Sequence, residues 1–192
     1  MASPENLQGL AGALRLLRLD AGGMALFSDS DAAIAQSFRV YLLVFPISML
    51  LSAMLGDPAL AQLGWPLYLA LEGVKMAANV AGFLLVASHL AQAMGHGPRI
   101  GLMVVAYNWS QLVAVLIYAL FITISLGLSA GAEDGQRAVN GGLIVPMLWL
   151  LVYGWYVLRQ SLACNGLLAS VLLLTDVTIN LLINSASTVT GG

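Results

Sequence analysis

The sequence is short of charge. Only 8% of its residues are Asp, Glu, Lys or Arg, while 60% are hydrophobic; a soluble domain carries about 25% charged residues. An ordinary soluble surface is therefore excluded, and a net charge of −2 leaves no basic face for nucleic acid. Cysteine is almost missing. Cys164 stands alone, so it makes no internal disulfide and supplies no metal framework. His89 and His96 are seven residues apart, too far to chelate one ion from adjacent turns, and neither metal nor cofactor is expected. There is no Walker loop, no dinucleotide fingerprint, no His-Glu-x-x-His and no nucleophile elbow. Where Ser and Asp come close inside the apolar segments, no His lies at their depth. No catalytic residue is assigned, and a non-enzymatic role is expected. The first 30 residues carry acids and lack a compact apolar core before a cleavage site, so no leader removal is expected.

What the chain has is long apolar runs. Five of them, at about 37–55, 66–93, 100–129, 141–158 and 162–185, meet or approach the roughly 20 residues a spanning helix needs. The expected fold is all-α: a polytopic bundle of five transmembrane helices (31–192), preceded by an arm (1–30). In that arm Ser3-Pro4-Glu5 opens a helix over 4–19, with Leu7, Leu10, Leu14 and Leu17 on one face. It is expected to lie amphipathically at the membrane surface or to pack on the bundle's own cytoplasmic ends. Gly22-Gly23 ends it, and Ser28-Asp29-Ser30-Asp31 caps the next helix. The links 56–65, 94–99, 130–140 and 159–161 are short, which makes consecutive spans antiparallel neighbours. Pro46 and Pro146 fall inside spans and bend them, as a static kink or as a hinge.

Lys and Arg bias sets the orientation. With the N-terminus cytoplasmic, Arg15, Arg18, Arg39, Arg99 and Arg159 form a cytoplasmic-side interface and Arg137 alone faces out, with Asp57, Glu133, Asp134 and the terminal 190–192. A multi-pass protein of the bacterial inner membrane follows. Trp65, Trp149, Trp155, Tyr153 and Tyr156 read as interfacial anchors or packing residues. The sequon Asn108-Trp109-Ser110 lies at membrane depth, where no glycan is attached.

The polar residues inside the spans are the functional clue. Glu72, Lys75, Asn79, Gly82, Val86 and His89 follow a 3-and-4 rhythm along one helix face. Glu72 and Lys75 would each cost about 2.5–3.5 kcal/mol near the bilayer centre, so this helix needs neighbours. The Ala78 and Gly82 pair permits a close one. Asn108, Gln111, Tyr118 and Ser125 repeat the rhythm in the third span, and Asp176, Asn180 and Asn184 in the fifth. Measured from the outer ends of their spans, Lys75 and Asp176 are both about 14 Å deep. Lys75 is therefore expected beside Asp176, with Asn79, Asn108, Gln111 and Asn180 completing an intramembrane cluster. Two acids and one base leave a surplus negative charge there. Either the cluster is a structural ion-pair core, or it serves a small proton- or cation-linked transporter or channel.

Leu16-Leu17-Arg18-Leu19-Asp20-Ala21-Gly22-Gly23, Ser37-Phe38-Arg39, Ala106-Tyr107-Asn108-Trp109-Ser110-Gln111 and Tyr156-Val157-Leu158-Arg159-Gln160-Ser161-Leu162, set in this five-span layout, resemble a compact bacterial form of the Yip1 family. The resemblance implies a helical membrane domain without catalytic chemistry or an agreed site. The small-GTPase role of the eukaryotic members does not carry over, because their longer N-terminal region has no counterpart here. The expected function is thus an interaction, assembly or membrane-organising subunit. Its partners are the lipid bilayer and either another membrane protein or further copies of the chain.

Overall fold

The computed structural model describes residues 4–129 and 135–189, with side chains over 6–128 and 141–185. Ser3, Glu133, Asp134, the side chain of Arg137 and the terminal 190–192, all used above, lie outside the described residues. Within them the chain is helical, without strands: α1 (Pro4–Leu17), α2 (Asp31–Ser37), α3 (Tyr41–Met54), α4 (Pro58–Ala93), α5 (Ile100–Ser129), α6 (Gly135–Leu162) and α7 (Gly166–Val189). The expected all-α bundle is what the sequence forms. Five stretches are long and apolar enough to cross a membrane: Asp31–Met54, Pro58–Ala93, Gly97–Leu128, Gly141–Leu162 and Gly166–Ser185.

Three boundaries differ from the sequence reading, each for a local reason. The expected loop 56–65 is mostly helix. Asp57 accepts the Ala59 N–H at 2.9 Å and Pro58 occupies the first turn, so α4 starts there. Gly64, at φ 70° and ψ 162°, then breaks the helical geometry, so two helical pieces meet at a kink there and the second begins at about the expected Pro66. The turn expected at 159–161 lies later. α6 runs through Arg159 to Leu162, Ala163 adopts φ 48°, and the Asn165 carboxamide caps Leu168 N–H at 2.9 Å to open α7. The arm helix stops at Leu17; Leu19 turns at φ 58° and a 3-10 turn covers Ala21–Leu26. The Ser30 cap is as read, with its Oγ accepting Ala33 N–H at 3.2 Å.

The helices form a circuit, α3–α5–α6–α7–α4, in which α4 meets α3 and α5 only thinly. Short links were expected to make all consecutive spans close neighbours. That holds for α5 with α6 and for α6 with α7, but α4 instead lies along α7, where Gly82 sits against Ile179. The centre is α5. Met103, Val104, Val105, Ala106, Tyr107 and Asn108 are all buried, so every face of that helix is covered over nearly two turns. Lower on the same pair, a Cβ on Gly142 would come 2.7 Å from Ser125 Oγ, which lets α6 approach α5 closely.

On α1, Leu7 and Leu14 are 59% and 43% exposed, while Leu10 and Leu17 pack against the bundle. A face of smaller residues beside them is buried. Gly9 lies under the Trp109 indole, Ala13 and Leu16 join Ala106, Val113, Tyr153 and Val157 of α5 and α6, and Tyr153 Oη donates to the Ala13 carbonyl at 3.1 Å. A Cβ on Gly9 would overlap the Trp109 ring. Gly9→Ala should therefore lower thermal stability in detergent by the equivalent of about 1–3 kcal/mol and speed proteolysis within residues 4–17. An unchanged melting point and digestion pattern would mean that α1 is not held there.

Candidate functional site

The intramembrane polar residues do not form one cluster. They divide into two groups at different depths, and the register of α4 on α7 explains why.

The deeper group is centred on α5. Tyr107 Oη donates to Asp176 Oδ1 of α7 at 3.0 Å. Its ring also packs on Phe83 of α4, with centroids 4.4 Å apart. Asn108, fully buried, donates through Nδ2 to Ser37 Oγ at 2.8 Å and accepts from Tyr41 Oη at 3.1 Å. Ser37 in turn donates to the Ile34 carbonyl at 2.7 Å. Trp109, the next residue, holds α1. Three consecutive residues of α5 thus contact four other segments: α7 and α4 through Tyr107, the α2–α3 junction through Asn108, α1 through Trp109. Ser110 turns its hydroxyl back to the Tyr107 carbonyl at 2.7 Å.

The second group lies at the other end of α4. Lys75 Nζ donates to Glu72 Oε1 at 2.6 Å, one turn apart on the same helix, with the two side chains 17% and 19% exposed. Nearer the α3–α4 link, buried Tyr68 donates to Asp57 Oδ2 at 2.8 Å, and Ser52 and Glu72 flank that tyrosine.

The expected meeting of Lys75 with Asp176 does not occur: Lys75 pairs with Glu72, and Asp176 accepts from Tyr107. The depth comparison assumed that both spans begin level on the outer side. They do not. Gly82 faces Ile179, and in an antiparallel pair Asp176, three residues earlier, is then level with about Leu85. Lys75 is ten residues from that point, about 15 Å along the axis, level with the end of the α7 span at Ser185. The charged pair stands apart from the Tyr107–Asp176 group along the helix axis.

The other predicted residues separate likewise. Asn79 and Gln111 are half-buried and join neither group's hydrogen bonds among the described residues. Asn180 is exposed and accepts from Asn184 Nδ2 on its own helix at 3.0 Å. The five arginines differ in their local surroundings. Arg159 lies over the Trp155 ring at 5.2 Å, Arg15 pairs with Asp20 at 2.7 Å, Arg18 and Arg39 are exposed, and Arg99 is half-buried. The guanidinium of Arg15, and after it the Gly22 N–H, hold the Asp20 carboxyl below its ordinary range. That contribution is present above the ordinary carboxylate range and lost as pH falls through the depressed value. Trp155 and Tyr153 are packing residues: the Trp155 indole donates to Ser170 Oγ at 3.1 Å and to the Gly166 carbonyl at 3.2 Å. His89 Nδ1 lies 2.8 Å from the Leu85 carbonyl on its own helix. Burial pushes the Cys164 thiol up, which makes it a poor nucleophile.

Sequence reasoning missed Ser37, Tyr41, Tyr107 and Tyr68. The tyrosine ring bodies read as apolar, although Tyr68 and Tyr107 stand four residues before Glu72 and Gln111 on the same 3-and-4 rhythm. The usable signal was the density of polar and aromatic residues in Tyr107-Asn108-Trp109-Ser110-Gln111, in the middle of an otherwise apolar run.

No family model matches the chain, and no curated protein or solved structure matches it. The site therefore stands on its own geometry. It can brace helices: hydroxyl and amide donors meet acceptors at depth, and among the described residues no group of three or more His, Cys, Asp or Glu is arranged to hold a metal.

Tyr107→Phe removes the donor to Asp176 and should cost about 1–3 kcal/mol, seen as a lower melting temperature in detergent. Adding Asp176→Leu should cost less in that background than in the wild type, because the pair is already broken. Strict additivity would show that the two groups are not coupled.

Proposed function

We propose that the chain is a non-enzymatic, multi-pass protein of the bacterial inner membrane, working as an interaction, assembly or membrane-organising subunit. Its N-terminal arm is cytoplasmic and its C-terminus periplasmic. The Yip1-like layout read in the sequence belongs to this proposal, as does association with a membrane-protein partner or with further copies.

One observation carries the reading: the polar groups at depth are satisfied within the protein. Tyr107 meets Asp176, Asn108 meets Ser37 and Tyr41, and among the described residues no buried side-chain nitrogen or oxygen lacks a partner. A transport path needs polar groups lining a wet cavity that opens to a surface. The large groove on this protein is walled by apolar side chains instead. The pair Glu72 and Lys75 neutralises itself on one helix, which leaves Asp176, held by the Tyr107 hydroxyl, as the remaining acid of the three charged residues.

Vesicles containing the purified protein, under a proton or potassium gradient, test the choice. Flux should stay at the level of empty vesicles for the wild type and for Asp176→Asn alike. Flux in the wild type that Asp176→Asn abolishes would reject the subunit reading in favour of the transporter.

A further inference from the structure

Phe83 of α4, Tyr107 of α5 and Asp176 of α7 meet in one layer. The two rings pack with centroids 4.4 Å apart, and Tyr107 Oη donates to Asp176 Oδ1 at 3.0 Å. Successive long helices alternate in direction, so α5 and α7 run together and α4 runs against them. One turn nearer the Glu72–Lys75 end is therefore four residues on in α5 and α7 and four residues back in α4, on the same faces. Those positions are Gln111, Asn180 and Asn79. Each of the three helices brings a carboxamide to the next layer, about 6 Å along the axis.

These amides are uncommitted. Among the described residues Asn79 and Gln111 make no hydrogen bond, and Asn180 accepts from Asn184 but donates to nothing. No buried side-chain nitrogen or oxygen among them lacks a partner, so the amide atoms of Asn79 and Gln111 are accessible and not enclosed by protein. The backbones of α5 and α7 hardly approach each other, and α4 meets α5 only thinly, so the helices do not close over this layer. The charge below it is uncommitted too. The ion pairs among the described residues are Arg15–Asp20 and Lys75–Glu72. Asp176 has one hydroxyl donor, on Oδ1, and no cation.

We propose that Asp176 and the three carboxamides bind one monovalent alkali cation, sodium or potassium. The donor set is hard oxygen: Asp176 Oδ2, the side-chain carbonyls of Asn79, Gln111 and Asn180, and the lone pairs of Tyr107 Oη, whose proton is directed to Asp176. Such oxygens suit alkali and alkaline-earth ions. A single carboxylate selects a monovalent ion, because a divalent one would leave a net positive charge within an apolar span. The bound ion neutralises an acid that has no counter-charge in the protein, and it ties α4 to α5 where their packing is thin. Phe83 and Tyr107, both buried, close the layer on the Asn108 side. Binding therefore entails no passage, and the site goes beyond the subunit reading without replacing it.

The test uses the full chain in mild detergent, with sodium or potassium chloride exchanged for N-methylglucamine chloride at constant ionic strength. The melting temperature of the wild type should rise saturably with at least one of the two ions. Asp176→Asn should abolish the rise. Asn79→Leu and Gln111→Leu should each move its midpoint to about tenfold higher cation concentration, which decides the matter if Asp176→Asn does not fold. Leu116→Ala, on the exposed face of α5, should leave the midpoint unchanged. A wild-type melting temperature that follows ionic strength alone would overturn the proposal, as would a midpoint unmoved by both leucine variants. A rise on acidification in place of any cation response would also overturn it, because a proton would then neutralise Asp176. A null cation response rejects the site and leaves the subunit reading intact; flux lost in Asp176→Asn rejects that reading and leaves the site.

Discussion

Every polar group carried into a bilayer must find its partner within the protein, and in this chain one short stretch of α5 meets most of that demand. Tyr107, Asn108 and Trp109 point in three directions from a helix that is covered on all sides. They reach Asp176 on α7, Ser37 and Tyr41 at the α2–α3 junction, and Gly9 on α1. Interhelical hydrogen bonds in membranes contribute about 0.6 kcal/mol each on average. Their larger effect is on geometry: a helix that slid by one turn would leave several of these groups without partners at once. The register of α1, α2, α3 and α7 is therefore set from one place.

The exception is α4. It is tied to the hub only through Phe83 on Tyr107 and lies along α7 by way of Gly82. Its span is the least buried of the five, at 11%. Its charged residues fall near the end of the neighbouring α7 span and pair with each other, which is what makes Glu72 and Lys75 tolerable there. The thin contact with α3 and the apolar groove beside it are two descriptions of the same gap.

Much of the fold was legible in the residues, because bilayer thickness imposes a length on apolar runs that composition alone exposes. The third span was read as 100–129 and is Ile100–Ser129. Where boundaries moved, the cause was a local device outside the hydropathy pattern: the Asp57 cap that starts α4 early, and the positive φ of Ala163 that delays the turn into α7. The site was less legible. Periodicity selects faces, and it selected Asn108 and Asp176 correctly as polar groups at depth. It does not give the vertical offset between two helices. That offset depends on which small residue meets which neighbour, here Gly82 on Ile179, and it displaced Lys75 from Asp176 by about 15 Å. For α1 the leucine spacing did not show the small-residue face beside it: Gly9, Gly12 and Ala13 are buried there, because close approach to the Trp109 ring and to the 3-10 turn leaves no room for larger residues.

The register of α4 on α7 is the point on which this account turns, and paired-cysteine cross-linking measures it directly. In a Cys164→Ser background, Gly82→Cys with Ile179→Cys should form a disulfide rapidly under mild oxidation, since an added Cβ at 82 lies 3.6 Å from the Ile179 side chain. Lys75→Cys with Asp176→Cys should remain uncross-linked under the same conditions. Cross-linking of the second pair in place of the first would put the charged residues back at the bundle centre and contradict the account.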